Sequence, residues 1–178
     1  MAEWQELDST PGLARLDADG LRAALADASK LWLAHDGLWF LAWEKRFGIE
    51  SAMEGDTEAW QRFAGLEAQR IMKRLGVEPG SGVDELAECL RHRLYANMCR
   101  FTLHRRGENE LKIRMNNCRV QDARNRKGLE PFPCKSVGIV EFSTFASTVN
   151  PEFSTECIQC PPDECTPGGW CEWTFKLP

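Results

Sequence analysis

The segment most informative about the architecture of the chain is Met98-Cys-Arg-Phe-Thr-Leu-His-Arg-Arg-Gly-Glu-Asn-Glu-Leu-Lys-Ile-Arg-Met115. Apolar and polar side chains alternate in both of its arms, and Arg106-Gly-Glu-Asn109 between them is typical of a turn. This pattern predicts a β-hairpin with one buried face. The residues before it follow helical spacing, so the stretch marks the change from a helical half to a half that contains strands.

Three helices are predicted before the hairpin. Apolar residues recur with helical spacing from residue 21 onward, and 31–43 is apolar nearly all round, which favours a helix buried at the centre of the domain. A second helix is predicted over about 50–75. A third follows Ser81, where Ser81 and Asp84 resemble a capping box.

The elements after the hairpin complete the predicted fold. A short helix is expected near 120–127, another from 134 to about 148, and a second hairpin from 153–159 and 170–176. The predicted fold class is therefore α+β, with an N-terminal helical layer packed on an antiparallel sheet of two hairpins and a cysteine-rich C-terminal segment.

A chain of 178 residues fits a single domain. We expect a flexible arm at 1–16 and one α+β domain at 17–178. The helical half of that domain is 17–96, and the β-rich half at 97–178 carries the expected cysteine ligands.

Net charge, hydropathy and cysteine content argue against several classes of function. A net charge of −5 argues against a nucleic-acid partner, whose binding face would have to attract phosphates. The N-terminus does not resemble a signal peptide and no window is apolar enough to span a membrane, so we expect no membrane partner and a cytoplasmic protein. In a reducing compartment, eight cysteines favour metal or thiol chemistry over disulfides.

Two pairs of cysteines form the predicted metal site. Cys157 and Cys160 are spaced so that two thiolates can bind one ion from a tight turn. Cys118 and Cys134 lie at the ends of predicted elements, where their side chains can converge with a loop, and they are the expected second pair. Zinc and a [4Fe-4S] cluster both accept four thiolates, and spacing does not separate them.

Other interpretations of the cysteines stay open. Cys165 and Cys171 are alternates for any one ligand, and all of these thiols could instead be free and partly buried. Cys134 could also be a nucleophile, because it lies at a predicted helix N-terminus. Its general base would then be Glu141, about two turns further along that helix.

A polar pair, His35 and Asp36, interrupts the most apolar predicted helix. One interpretation is a catalytic pair in a ligand pocket walled by Trp32 and Trp39. The other is a structural pair whose hydrogen bonds lock two helices together, since a buried carboxylate needs a partner.

Basic residues cluster at 119–127. Arg119 and Arg124 could form a substrate subsite for a small anion, or they could belong to an ordinary solvated helix face.

Several segments resemble known families. The helical half is similar to the L-2-amino-thiazoline-4-carboxylic acid hydrolase-like family at Leu31-Trp-Leu-Ala-His-Asp-Gly-Leu-Trp-Phe40, Phe47-Gly48, Trp60, Phe63 and Glu67-Ala68. The later half resembles a family known as "cytosolic protein", without an assigned function, at Asn117-Cys-Arg-Val-Gln121, Phe132-Pro-Cys-Lys135 and Cys157-Ile-Gln-Cys-Pro-Pro-Asp163. The fold also resembles, distantly, the vinyl-reductase-type small-molecule-binding domain, and a fold alone does not give a function.

The hydrolase resemblance implies attack of water on a cyclic C=N carbon, with a metal or the pair of His35 and Asp36 activating the water. A metal closed by four thiolates has no open position for that water. The predicted function is therefore a metal-binding, small-molecule-binding protein, and the resemblance implies a hydrolase-like reaction on a small cyclic C=N substrate. The alternatives are a non-catalytic ligand sensor or accessory protein and a small iron–sulfur electron carrier. A homo-oligomer is also expected as a possible assembly.

Overall fold

The structure, a computed structural model, describes residues 11–178. Its helices and strands confirm the predicted α+β class, with the helices packed against an antiparallel sheet. In chain order the elements are α1 (Ala18–Phe47), α2 (Ile49–Leu75), α3 (Val83–Arg91), β1 (Phe101–Arg106), β2 (Glu110–Met115), α4 (Arg119–Arg126), α5 (Lys135–Val149), β3 (Ser154–Gln159) and β4 (Cys171–Lys176). Short 3₁₀ turns lie at Gly12–Arg15 and Leu94–Asn97.

The sheet has the strand order β1-β2-β4-β3, and every neighbouring pair is antiparallel. The two predicted hairpins therefore join through β2 and β4. Ile113 lies opposite Trp173 in this pair, and Leu111 lies opposite Phe175. All four side chains are buried, so the face expected from the alternating pattern is the core face.

Helix α5 packs on this core face of the sheet. The ring centroids of Phe142 and Trp173 are 5.1 Å apart. At Gly138, an added Cβ would lie 2.7 Å from the Trp173 ring, so only glycine allows the helix to approach this closely.

The ends of the first helices follow local capping rules. The Asp17 carboxylate accepts a hydrogen bond from the Gly20 N–H at the start of α1, at 2.8 Å. Gly48, with φ of 87°, ends α1 and leads directly into α2. The capping expected from Ser81 at α3 is wrong: the Glu85 carboxylate accepts from the Gly82 N–H, and the Ser81 hydroxyl donates to a carbonyl of the preceding turn.

The prediction that the apolar segment of α1 is the buried centre of the domain is also wrong. Ser29 is the residue of α1 that is fully buried, whereas Leu31 and Trp39 are more than 60% exposed. Helix α1 lies on the surface and is packed on one side against α2 and the 3₁₀ turn at Leu94–Asn97. An apolar composition all round the helix did not reveal which side would be covered.

Across residues 11–178, no helix has both the length and the apolar character that crossing a bilayer requires. The predicted arm at 1–16 lies mostly outside the described residues.

Candidate functional site

A cavity of about 460 Å³ is lined by residues of α1 on one side and of the sheet, α4 and α5 on the other. Its wall is largely apolar and includes Leu33 and Phe40 from α1, Phe132 before α5, and Ile113 and Trp173 from the sheet. A concave, mostly apolar site with a few polar groups is the usual form of a small-molecule pocket.

A buried ionic network borders the cavity through Arg93 and Glu141. The Arg93 guanidinium is only 3% exposed, and its Nε donates a hydrogen bond to Glu67 Oε2 at 2.9 Å. A second nitrogen of Arg93 lies 2.8 Å from Glu141 Oε1, which makes an ion pair without the angle of a hydrogen bond. Glu67 also accepts from the Leu94 N–H at 3.0 Å. Burial opposes the charge of Arg93, yet the two carboxylates raise the pKa of Arg93 above its ordinary value.

Glu141 is held in place by this network. Burial raises the pKa of the Glu141 carboxyl, and the neighbouring Arg93 opposes that effect. Glu141 lines the cavity but pairs with Arg93, so the structure does not join it to the Cys134 thiol by a hydrogen bond within the described residues.

Asp56, on α2, is a further carboxyl that lines the cavity. Burial, and then the nearby Asp36 and Glu141, raise the pKa of Asp56 to about 7, against the opposing effect of the Trp60 indole. A carboxyl with a pKa near neutrality can exchange a proton at physiological pH. Nothing in the sequence indicates this residue, since one aspartate in an amphipathic helix normally faces water.

Four thiols also border the cavity: Cys118, Cys134, Cys160 and Cys171. The Sγ atoms of Cys134 and Cys160 are 3.4 Å apart. These thiols come from the starts of α4, α5 and β4 and from the loop after β3.

The Cys134–Cys160 pair shares its protons unequally. The hydrogen bond from Cys160 lowers the pKa of Cys134, and the Gln121 amide, at 3.6 Å from Cys134 Sγ, acts in the same direction. Donation to Cys134 raises the pKa of Cys160. Cys134 is therefore the more acidic thiol of the pair.

Gln121 fixes the segment that carries Cys134. Its amide donates to the Phe132 carbonyl at 2.8 Å and its carbonyl accepts from the Phe132 N–H at 2.9 Å, with the side chain fully buried. The Lys135 ammonium binds Asp163 at 2.8 Å, and the Lys135 N–H donates to the Pro161 carbonyl, so the loop after Cys160 is tied to the start of α5.

The other predicted ligands lie differently. Cys118 lines the cavity, and burial raises the pKa of Cys118 to about 12. Cys157 is on β3 and is not among the lining residues, while the Cys165 thiol donates to the Trp170 carbonyl at 2.7 Å. Of the predicted ligands, the structure therefore brings the sulfurs of Cys134 and Cys160 together, and Cys171 borders the same cavity. Within residues 11–178, no three histidine, cysteine or acidic side chains are grouped so as to hold a metal ion.

The two residues of the predicted catalytic pair are both exposed, and they differ in their relation to the cavity. Asp36 borders the cavity, whereas His35 is not among the lining residues. Trp39 lies edge-on to His35, with ring centroids 6.5 Å apart. Trp32 stacks on Phe63 at 5.4 Å and is not a lining residue.

The two predicted substrate-binding arginines both border the cavity at α4. Arg124 is buried and bound to the Glu44 carboxylate at 2.9 and 3.1 Å, and it donates to the Glu130 carbonyl at 2.7 Å. Arg124 therefore ties α4 to α1. Arg119 is exposed at the rim.

One family profile matches nearly the whole chain, over residues 14–177, and it describes a family of unknown function, DUF6125. The chain belongs to this family. No curated protein and no solved structure matches the chain. Membership of DUF6125 assigns no activity to the chain.

Proposed function

We propose that this protein binds a small molecule with a mostly apolar surface in the cavity under α1. The observation that carries the proposal is the cavity itself, because about 460 Å³ of largely apolar space lies in the size range of ligand pockets. The polar groups of its lining include Arg93, Asp56 and four thiols. Such a lining favours a ligand with an apolar body and a few polar groups.

Gly37 offers a direct test. It lines the cavity from α1, and an added Cβ there would meet nothing within 4 Å. Gly37→Phe should therefore place a ring in the cavity. Gly55→Phe is the matched control, since Gly55 also lies inside a helix with free space around it but does not line the cavity. Neither change should destabilise the protein, because glycine is a poor helix former.

The probe is prodan, an uncharged naphthalene dye whose emission rises and shifts to the blue in apolar surroundings. The proposal predicts saturable prodan binding to the wild type and to Gly55→Phe, and at least about tenfold weaker binding to Gly37→Phe, since the added ring occupies the ligand's space. The absence of saturable binding, or equal affinity in the two variants, would contradict it.

Zinc or a [4Fe-4S] cluster on the cysteines stays a prediction. In its favour, the Cys134–Cys160 separation of 3.4 Å is close to the roughly 3.8 Å between sulfurs of a tetrahedral zinc site with Zn–S bonds of about 2.3 Å. Cys171, which borders the same cavity, would be a more suitable third ligand than Cys157, which does not. Metal analysis of anaerobically purified protein tests this directly, with Cys134→Ser against Cys89→Ser as the control, because Cys89 is a buried core residue.

Catalysis also stays a prediction, with the ligand sensor and the electron carrier as its alternatives. If the protein is hydrolase-like, the cavity favours Asp36 or Asp56 over His35 as the proton-transferring group, because His35 is not among the lining residues. Turnover separates an enzyme from a sensor. A variant such as Asp56→Asn that keeps prodan affinity but loses product formation would favour the enzyme.

A further inference from the structure

A group of cations borders the cavity at α4. Arg119, Arg126 and Lys127 are all lining residues, and each of them is exposed. Residues seven and eight positions apart lie about two turns apart on the same side of a helix, so the three side chains extend from one side of α4. Asp122, the acidic residue of α4, is not a lining residue. The rim of the cavity at α4 is therefore positively charged, although the chain carries a net charge of −5.

Within residues 11–178, these three cations have no acidic partner. The other basic residues of the lining are ion-paired: Lys30 with Asp27, Arg93 with Glu67 and Glu141, and Arg124 with Glu44. Of the two arginines predicted to bind a small anion, Arg124 is therefore already bound by a carboxylate of the chain. Arg119 is not, and Arg126 and Lys127 join it at the rim.

The carboxyl groups of the lining balance this charge only in part. Glu141 is paired with Arg93. Burial and the nearby carboxylates raise the pKa of Asp56 to about 7, so this carboxyl is about half neutral at neutral pH. Among the lining residues that the structure describes, Asp36 is the remaining carboxylate, against three unpaired cations. The charge that the lining presents to a ligand is therefore positive.

We infer that the ligand of this cavity is an anionic amphiphile, whose apolar body occupies the cavity and whose carboxylate or phosphate group binds Arg119, Arg126 and Lys127. The inference rests on the proposed function, since it names the class of ligand for the same cavity. Such a molecule suits both parts of the lining, because its body covers the apolar wall while its head group stays at the exposed rim and keeps much of its hydration. Arginine and lysine are the side chains that form charge-assisted hydrogen bonds with carboxylates and phosphates.

The test is displacement of bound prodan from the full chain by compounds that share a decyl chain and differ in the head group. They are decanoate, decyl phosphate, decanol and decylammonium, each used below its micelle concentration. At least one of the two anions should displace prodan at a concentration about tenfold lower than decanol does, and decylammonium should compete least, because three cations attract the anion and repel the ammonium. The better of the two anions identifies the head group. Added salt should reduce the advantage of the anion over decanol, since the rim is exposed to solvent.

Two triple variants assign the effect to α4. The first changes the three rim cations to glutamine, Arg119→Gln, Arg126→Gln and Lys127→Gln, and should remove most of the advantage of the anion over decanol. The second is the matched control, Arg70→Gln, Lys73→Gln and Arg74→Gln, which makes the same change in net charge at exposed residues of α2 that do not line the cavity. The control should keep the advantage. Glutamine is about as good a helix former as arginine or lysine, so both helices should persist.

Three results would overturn the inference and leave the proposed function standing. In the first, prodan binds but neither anion competes better than decanol. In the second, decylammonium is the best competitor, which would assign the head group to Asp36 and Asp56. In the third, both triple variants lose the advantage equally, because the overall charge of the chain would then attract the anion. The absence of saturable prodan binding to the wild type would overturn the proposed function, and this inference with it. The comparison of head groups on the wild type decides the inference even if a variant fails to fold.

Discussion

The buried ionic network gives the sharpest stability prediction. Glu67→Ala removes the carboxylate that accepts from Arg93 at 2.9 Å and from the Leu94 N–H at 3.0 Å. Arg93 would then keep only Glu141 as a carboxylate partner, through a contact off the hydrogen-bond line. Both donors are removed from bulk water, so neither regains the lost bond easily.

The expected loss follows from burial. Removing one partner of a buried ion pair typically costs about 3–5 kcal/mol, and leaving a buried N–H unpaired costs about 1–3 kcal/mol. Because Glu141 still compensates part of the charge of Arg93, we expect the lower end, about 3 kcal/mol. Glu88→Ala is the control: its ion pair with Arg91 is about half exposed, so its loss should cost no more than about 0.5 kcal/mol.

Equilibrium unfolding in urea, followed by tryptophan fluorescence, measures both variants. With an m-value of about 2 kcal/mol/M, Glu67→Ala should lower the midpoint by about 1.5 M and Glu88→Ala by less than about 0.3 M. A midpoint for Glu67→Ala within about 0.5 M of the wild type would contradict this prediction, because the Arg93–Glu67 pair would then contribute little to the free energy of unfolding.

Three further predictions concern the surroundings of the cavity. Gly138→Ala should destabilise the protein by about 1–3 kcal/mol in the same urea assay, because the added methyl group would displace the Trp173 ring; an unchanged midpoint would contradict the close packing. Asp56→Asn should stabilise the protein above pH 7, by on the order of 4 kcal/mol because a pKa raised by about three units is worth about 1.4 kcal/mol per unit, and have no effect below about pH 4. The sign follows from a pKa raised to about 7: between pH 4 and 7 the native state binds more protons than the unfolded state, so stability falls as pH rises, and a pH-independent effect of the variant would contradict this. Iodoacetamide should modify Cys134 before Cys118, because the pKa of Cys134 is lowered and that of Cys118 is raised to about 12; the reverse order in mass mapping would be inconsistent with the hydrogen-bonded thiol pair.

The sheet could be predicted from the sequence because its signal is local. Leu111, Ile113 and Met115 alternate with charged residues, and the structure buries these three side chains on one face. When one face of a strand must be buried, alternation of this kind determines which side chains face the core, because a shift of one residue would turn every apolar side chain towards solvent. Helix α1 had no such asymmetry, since 31–43 is apolar on every side. Its position was set by tertiary packing alone, and the prediction of a central helix was wrong.

The candidate site could be predicted only in part. Cys160 was chosen with Cys157 for their spacing, and Cys134 was chosen with Cys118 for their positions at predicted element ends. Of these four, the structure brings the sulfurs of Cys134 and Cys160 to 3.4 Å. Gln121 and Asp56 were missed, because a glutamine or an aspartate in a helix carries no local sign that its side chain is buried. Contacts between residues distant in sequence decide such roles, and one sequence does not display them.

The most direct test of the ligand site is a crystal structure of the protein grown with prodan. We expect the naphthalene ring between Gly37 of α1 and Trp173 of the sheet, in the cavity that both residues line. Density for the dye only on the exposed face of α1, or a cavity filled by collapse of α1 onto the sheet, would contradict the account.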